Sequence, residues 1–126
     1  MLNFKTLNTI TAAGSLVNSL FYLFAPAFSL ELLGASASSI GLMNTRSAGA
    51  CALGMCLVLW LSRNLNDLGI QRIVAAGSLA MLAALSVIEI HGTLSGAMNW
   101  VGWLFVAADG LLSAGYAVVL LRSWGE

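Results

Sequence analysis

Charge is what this chain has least of. Asp, Glu, Lys and Arg make up 8% of its 126 residues and apolar residues 60%, whereas an ordinary soluble domain is about 25% charged. So few charges cannot cover the surface of a soluble domain of this size, and a bilayer is the solvent that suits it. The five bases and five acids cancel, which leaves no basic footprint for nucleic acid. The single histidine excludes bis-histidine haem ligation within a monomer. No His/Cys/carboxylate spacing or HExxH pattern is present, so no metal and no other cofactor is expected. A glycine-rich phosphate loop and a GxSxG elbow are also missing. The two cysteines, Cys51 and Cys56, lie in one apolar run. On a helix they point about 140° apart, which disfavours a disulfide between them.

What is there in quantity is long apolar runs. Crossing a bilayer takes about 20 apolar residues, and four stretches qualify: 6–25, 41–62, 70–91 and 99–121. Lys5 before the first run and "APA" at 25–27 resemble a secretion signal. That run is nearly twenty residues, however, and carries Asn8, Gly14 and Asn18, whereas a signal core is about 7–15 residues. It is read as a retained first span, ended by Pro26, the only proline. The short polar links "SRNLNDLG" and "HGTLSGAMN" make spans two, three and four sequential antiparallel neighbours. Between spans one and two, residues 27–34 read as a short interfacial segment with Glu31 toward water. Lys5, Arg63, Arg72 and Arg122 fall at the N-terminus, the second link and the C-terminus, which places these together on the cytoplasmic side. The expectation is a single all-α domain over residues 1–126: an integral-membrane, antiparallel four-helix bundle with both termini inside.

The polar residues within the spans are patterned. Asn8, Thr11, Ser15, Asn18 and Tyr22 are spaced 3, 4, 3, 4 and form one stripe on span one, which should face protein rather than lipid. Ser47, Ala50, Cys51 and Gly54 form a small-residue stripe on span two, read as a close-packing surface. Ser78, Ser86 and Glu89 share a face of span three. Asp109, Ser113 and Tyr116 share a face of span four. Ionisable groups inside spans are functional candidates by default. Asp109 lies about ten residues into its span, roughly 15 Å deep. Glu89 sits near the outer end of "SVIEIHGTL". His91, two residues on, is about 200° round the helix and so cannot act with it as one unit; it reads as a rim residue. The candidate site is an outward-facing polar pocket lined by Asn18, Tyr22, Asn44, Arg46, Glu89 and Asp109. Asp109 and Glu89 are the acid/base candidates, and Asn18, Tyr22, Asn44 and Arg46 the ligand-binding ones. Arg46 is expected to neutralise one carboxylate, leaving the other protonated in low dielectric.

"APAFSLELLG" followed by "NTRSAGACALGMCLVLWLSR" resembles the small bacterial four-helix membrane proteins grouped as DoxX-like, over about half the chain. Pro26, Leu33, Gly34, Arg46, Gly49 and Gly54 carry the resemblance. It implies a four-helix fold in a bacterial inner (cytoplasmic) membrane and brings no catalytic residues with it.

Three functions follow as expectations. The first is a pocket binding a lipophilic small molecule, or an accessory subunit of a membrane complex. The second is an intramembrane acid/base enzyme, of isomerase or cyclase type, on an isoprenoid-, sterol- or quinone-like substrate. The third is proton-coupled transport by an oligomer. The partners implied are the lipid bilayer, a lipophilic small molecule, and a second copy or a larger membrane complex.

Overall fold

The computed structural model describes residues 3–125. Five helices follow in order: α1 (Phe4–Phe24), α2 (Pro26–Leu32), α3 (Ser39–Ser62), α4 (Leu68–Leu94) and α5 (Gly102–Trp124). Their starts are built by the side chains that helix physics calls for. The Asn3 side chain accepts from the Thr6 amide at 2.8 Å, Ser38 from Gly41 at 3.1 Å, and Asp67 from Ile70 at 2.9 Å.

The expected four-helix bundle is corrected to an all-α fold of five helices. Three of them, α3, α4 and α5, are individually long and apolar enough to cross a membrane. The first apolar run qualifies only when α1 and α2 are taken together, and these are bent by 112°. Pro26 explains the break. It occupies the first turn of α2, where its missing N–H costs nothing, and it cannot extend α1. The rings of Phe21 and Phe28, 5.9 Å apart, stack across the bend. At its far end α2 closes in a Schellman turn, with Gly34 at φ 78°. Gly34 N–H donates to Glu31 O and Ala35 N–H to Leu30 O, both at 2.9 Å.

The helices pack in pairs. α1 lies along α3 and α4 along α5, whereas α3 and α4, though consecutive, barely touch. The expectation that short links make every consecutive pair neighbours fails here because α3 has already committed a face to α1. That face carries Gly49, Cys56, Leu59 and Ser62, all buried. At Gly49 the α1 backbone comes so near that a Cβ would lie 2.9 Å from Tyr22 Cβ and 3.1 Å from Leu23 N. The small-residue stripe read as the packing surface is therefore the wrong face: Ser47, Ala50, Cys51 and Gly54 are exposed. α4 and α5 approach as closely at Gly102, whose Hα side meets the Thr93 hydroxyl.

The core is thin. Phe4, Leu7, Ala12, Cys56, Leu59, Ala75, Leu82 and Tyr116 form it. Large apolar residues including Ile73, Leu61, Leu104 and Leu111 are exposed along the outer faces. Such a surface is consistent with a multi-pass membrane protein in contact with lipid.

Candidate functional site

Two polar centres lie between the helices. The first is a buried knot near the basic end. Asn8, with no exposed surface, donates from Nδ2 to Ser62 Oγ at 3.1 Å and accepts at Oδ1 from the Tyr116 hydroxyl at 2.9 Å. Ser62 in turn donates to Leu59 O at 3.3 Å. One asparagine thereby ties α1 to both α3 and α5. The hydroxyls of Thr11 on α1 and Ser78 on α4 flank the same phenol, so all four long helices bring a polar group there. The polar stripe of α1 supplied Asn8 and Thr11. Ser62 was missed because it stands at the end of an apolar run, where a serine reads as the start of a polar link.

The second centre lies toward the other end. The carboxyl groups of Glu89 (α4) and Asp109 (α5) lie close enough to interact. Tyr22 on α1 is close enough to feel both charges. Glu89 Oε2 is buried and receives no donated hydrogen. An ionised carboxyl only accepts hydrogen bonds, so a bond between two carboxyls requires a proton on one of them. Tyr22 is set in place by Gly49, which lets α3 close on this part of α1. Asp109 and Glu89 meet because α4 and α5 are antiparallel partners.

The sequence-predicted residues separate into groups. Tyr22, Glu89 and Asp109 come together. Asn18 is half-buried and lines a neighbouring cleft with Phe21, Tyr22, Phe28, Leu33 and Phe105. Asn44 and Arg46 are exposed on α3, and Arg46 is not among the groups acting on either carboxyl. The cleft is mainly apolar and holds about 60 Å³, far below the roughly 300–1,000 Å³ of ligand pockets. The expected outward-facing polar pocket for a lipophilic molecule is corrected accordingly. The isomerase and cyclase readings rested on that pocket and fall with it.

No family model, curated protein or solved structure matches the chain. The DoxX-like resemblance is withdrawn, and the bacterial inner-membrane assignment goes with it. Several of its residues have local explanations: Pro26 starts α2, Gly34 caps it, and Gly49 admits α1. Punctuation of this kind recurs wherever short and long apolar helices alternate.

Proposed function

We propose that the chain is a multi-pass membrane protein whose working element is a proton held between Glu89 and Asp109. The charge on that pair governs how the α4–α5 pair sits against Tyr22 of α1. The observation that carries this reading is the approach of two carboxyls from different helices with a phenol near them and, among the described residues, no cation acting on either. Acids are rare in apolar spans, and when present they pair with one another or mark proton-handling sites. The phenol can donate to whichever carboxyl is ionised, which makes Tyr22 the group that reads the state of the pair. Asn44 and Arg46, exposed on α3, fall outside the proposed element.

Infrared difference spectra of the purified protein in lipid nanodiscs, taken across a pH step, test this. The expected result is a protonated-carboxyl band that is lost or displaced in both Glu89→Gln and Asp109→Asn and retained in Glu31→Gln. A band unchanged in the first two variants would refute the shared proton.

A further inference from the structure

We propose that the protein carries a binding site for the phosphate headgroup of an anionic phospholipid. It lies in a cleft between the start of α1 and the α3–α4 turn. The cleft spans about 350 Å³ and is lined by Asn3, Lys5, Arg63, Asn64, Asn66 and Gln71, with the apolar side chains of Phe4 and Leu65. Two cations and four amides line it, and among the described residues no acid does. The nearest carboxylate in sequence, Asp67, is committed elsewhere: it accepts from the Ile70 amide at 2.9 Å and caps α4.

The cleft is held in shape by its own bonds. Gln71 Nε2 donates to Leu65 O at 2.7 Å, which closes the turn onto α4. Arg63 lies over the Trp60 ring, 3.4 Å from its centroid, and donates through one nitrogen to Trp60 O. A guanidinium has five N–H donors, so others remain for a ligand. The stacked indole keeps the arginine from sweeping freely through solvent. Lys5 enters from a different helix and brings a second positive charge.

This donor set matches a group with several anionic acceptor oxygens. Its position selects the source. The cleft lies where α1 and α4 begin and α3 ends, at the boundary where exposed apolar helix faces give way to polar links. Phospholipid phosphates occupy that level, and basic pockets at span ends bind anionic headgroups. Leu65, exposed beside the cleft, supplies an apolar edge to it. Glu89 is about 30 Å further along α4, so the cleft stands independently of the carboxyl pair.

Native mass spectrometry of the detergent-purified full chain, titrated with phosphatidylglycerol or phosphatidylcholine, tests the proposal. The expected result is preferential retention of phosphatidylglycerol, reduced about fivefold for each cation removed in Lys5→Gln and Arg63→Gln. Asn66→Ala, which leaves both charges and the Trp60 stack intact, is expected to weaken retention less but measurably. Arg122→Gln, at the same end but outside the cleft, is expected to bind as the parent does. Equal retention of the two lipids would overturn the proposal. So would an equal loss in Arg122→Gln, which would mean diffuse surface charge. Displacement of the lipid by millimolar inorganic phosphate would overturn the lipid assignment in favour of free phosphate.

Discussion

The Tyr116 hydroxyl donates to Asn8 Oδ1 at 2.9 Å across 108 residues of sequence. Both residues have no exposed surface. This bond joins the α1–α3 pair to α5, and the two pairs share few other contacts. Tyr116→Phe would leave a buried acceptor without a donor, a loss of about 1–2 kcal/mol. The expected outcome is a lower thermal midpoint in detergent. Asn8→Ala would break the Ser62 bond as well and should lower the midpoint further. An unchanged midpoint in both would remove the knot from the stability account.

Two glycines on one helix should respond differently to the same change. Gly49→Ala would set a methyl 2.9 Å from Tyr22 Cβ and 3.1 Å from Leu23 N, and a backbone atom cannot swing aside. Overpacking of this kind costs about 1–3 kcal/mol. Gly54 has no atom within 4 Å of the added carbon, so Gly54→Ala should be neutral or slightly stabilising through helix propensity. Unfolding titrations of the two variants side by side check this, and equal effects would contradict the close approach of α1 at Gly49.

That contrast also marks how far the sequence could be read. Long apolar runs and a lone proline show helices and a break at residue 26, because crossing lengths and proline chemistry are local properties. The polar stripe on α1 pointed correctly at Asn8 and Thr11, since buried polar groups must face protein. The short link foretold the α4–α5 pairing, but the pairing of α1 with α3 and the sparse contact between α3 and α4 were not legible. Gly49 and Gly54 look alike in a list of small residues, and only the approach of α1 distinguishes them. The meeting of Glu89 with Asp109 depended on the α4–α5 pairing, whereas Arg46 was drawn into the site by charge balance alone. Charge balance does not say which way a side chain points.

Asn99 ties the α4–α5 link to the end of α2. Its backbone N–H donates to Leu33 O at 2.8 Å and its Nδ2 to Leu32 O at 3.0 Å. Asn99→Ala keeps the first bond and loses the second, together with the bond its Oδ1 accepts from Val101 N–H at 2.9 Å. The expected result is faster amide hydrogen exchange over residues 25–38 and at Val101, with α3 and the rest of α5 unaffected. Exchange rising uniformly along the chain would point to global destabilisation and against a local tether.

The cysteines offer a check on the orientation of α3. Cys51 is exposed and Cys56 buried. Cys51→Leu should leave the thermal midpoint in detergent nearly unchanged, whereas Cys56→Leu should lower it, because overpacking a filled site costs about 1–3 kcal/mol. Equal midpoints for the two variants would contradict the packing of α3 on α1.

The two bonds made by Asn8 also set an order of assembly. Its first partner, Ser62, is synthesised 54 residues after it, and its second, Tyr116, 108 residues after it. The amide nitrogen can therefore be satisfied as soon as α3 emerges, while the carbonyl oxygen waits for α5. A ribosome making this protein would release an early hairpin with one vacant acceptor, and a helix made two helices later carries the hydroxyl that fills it.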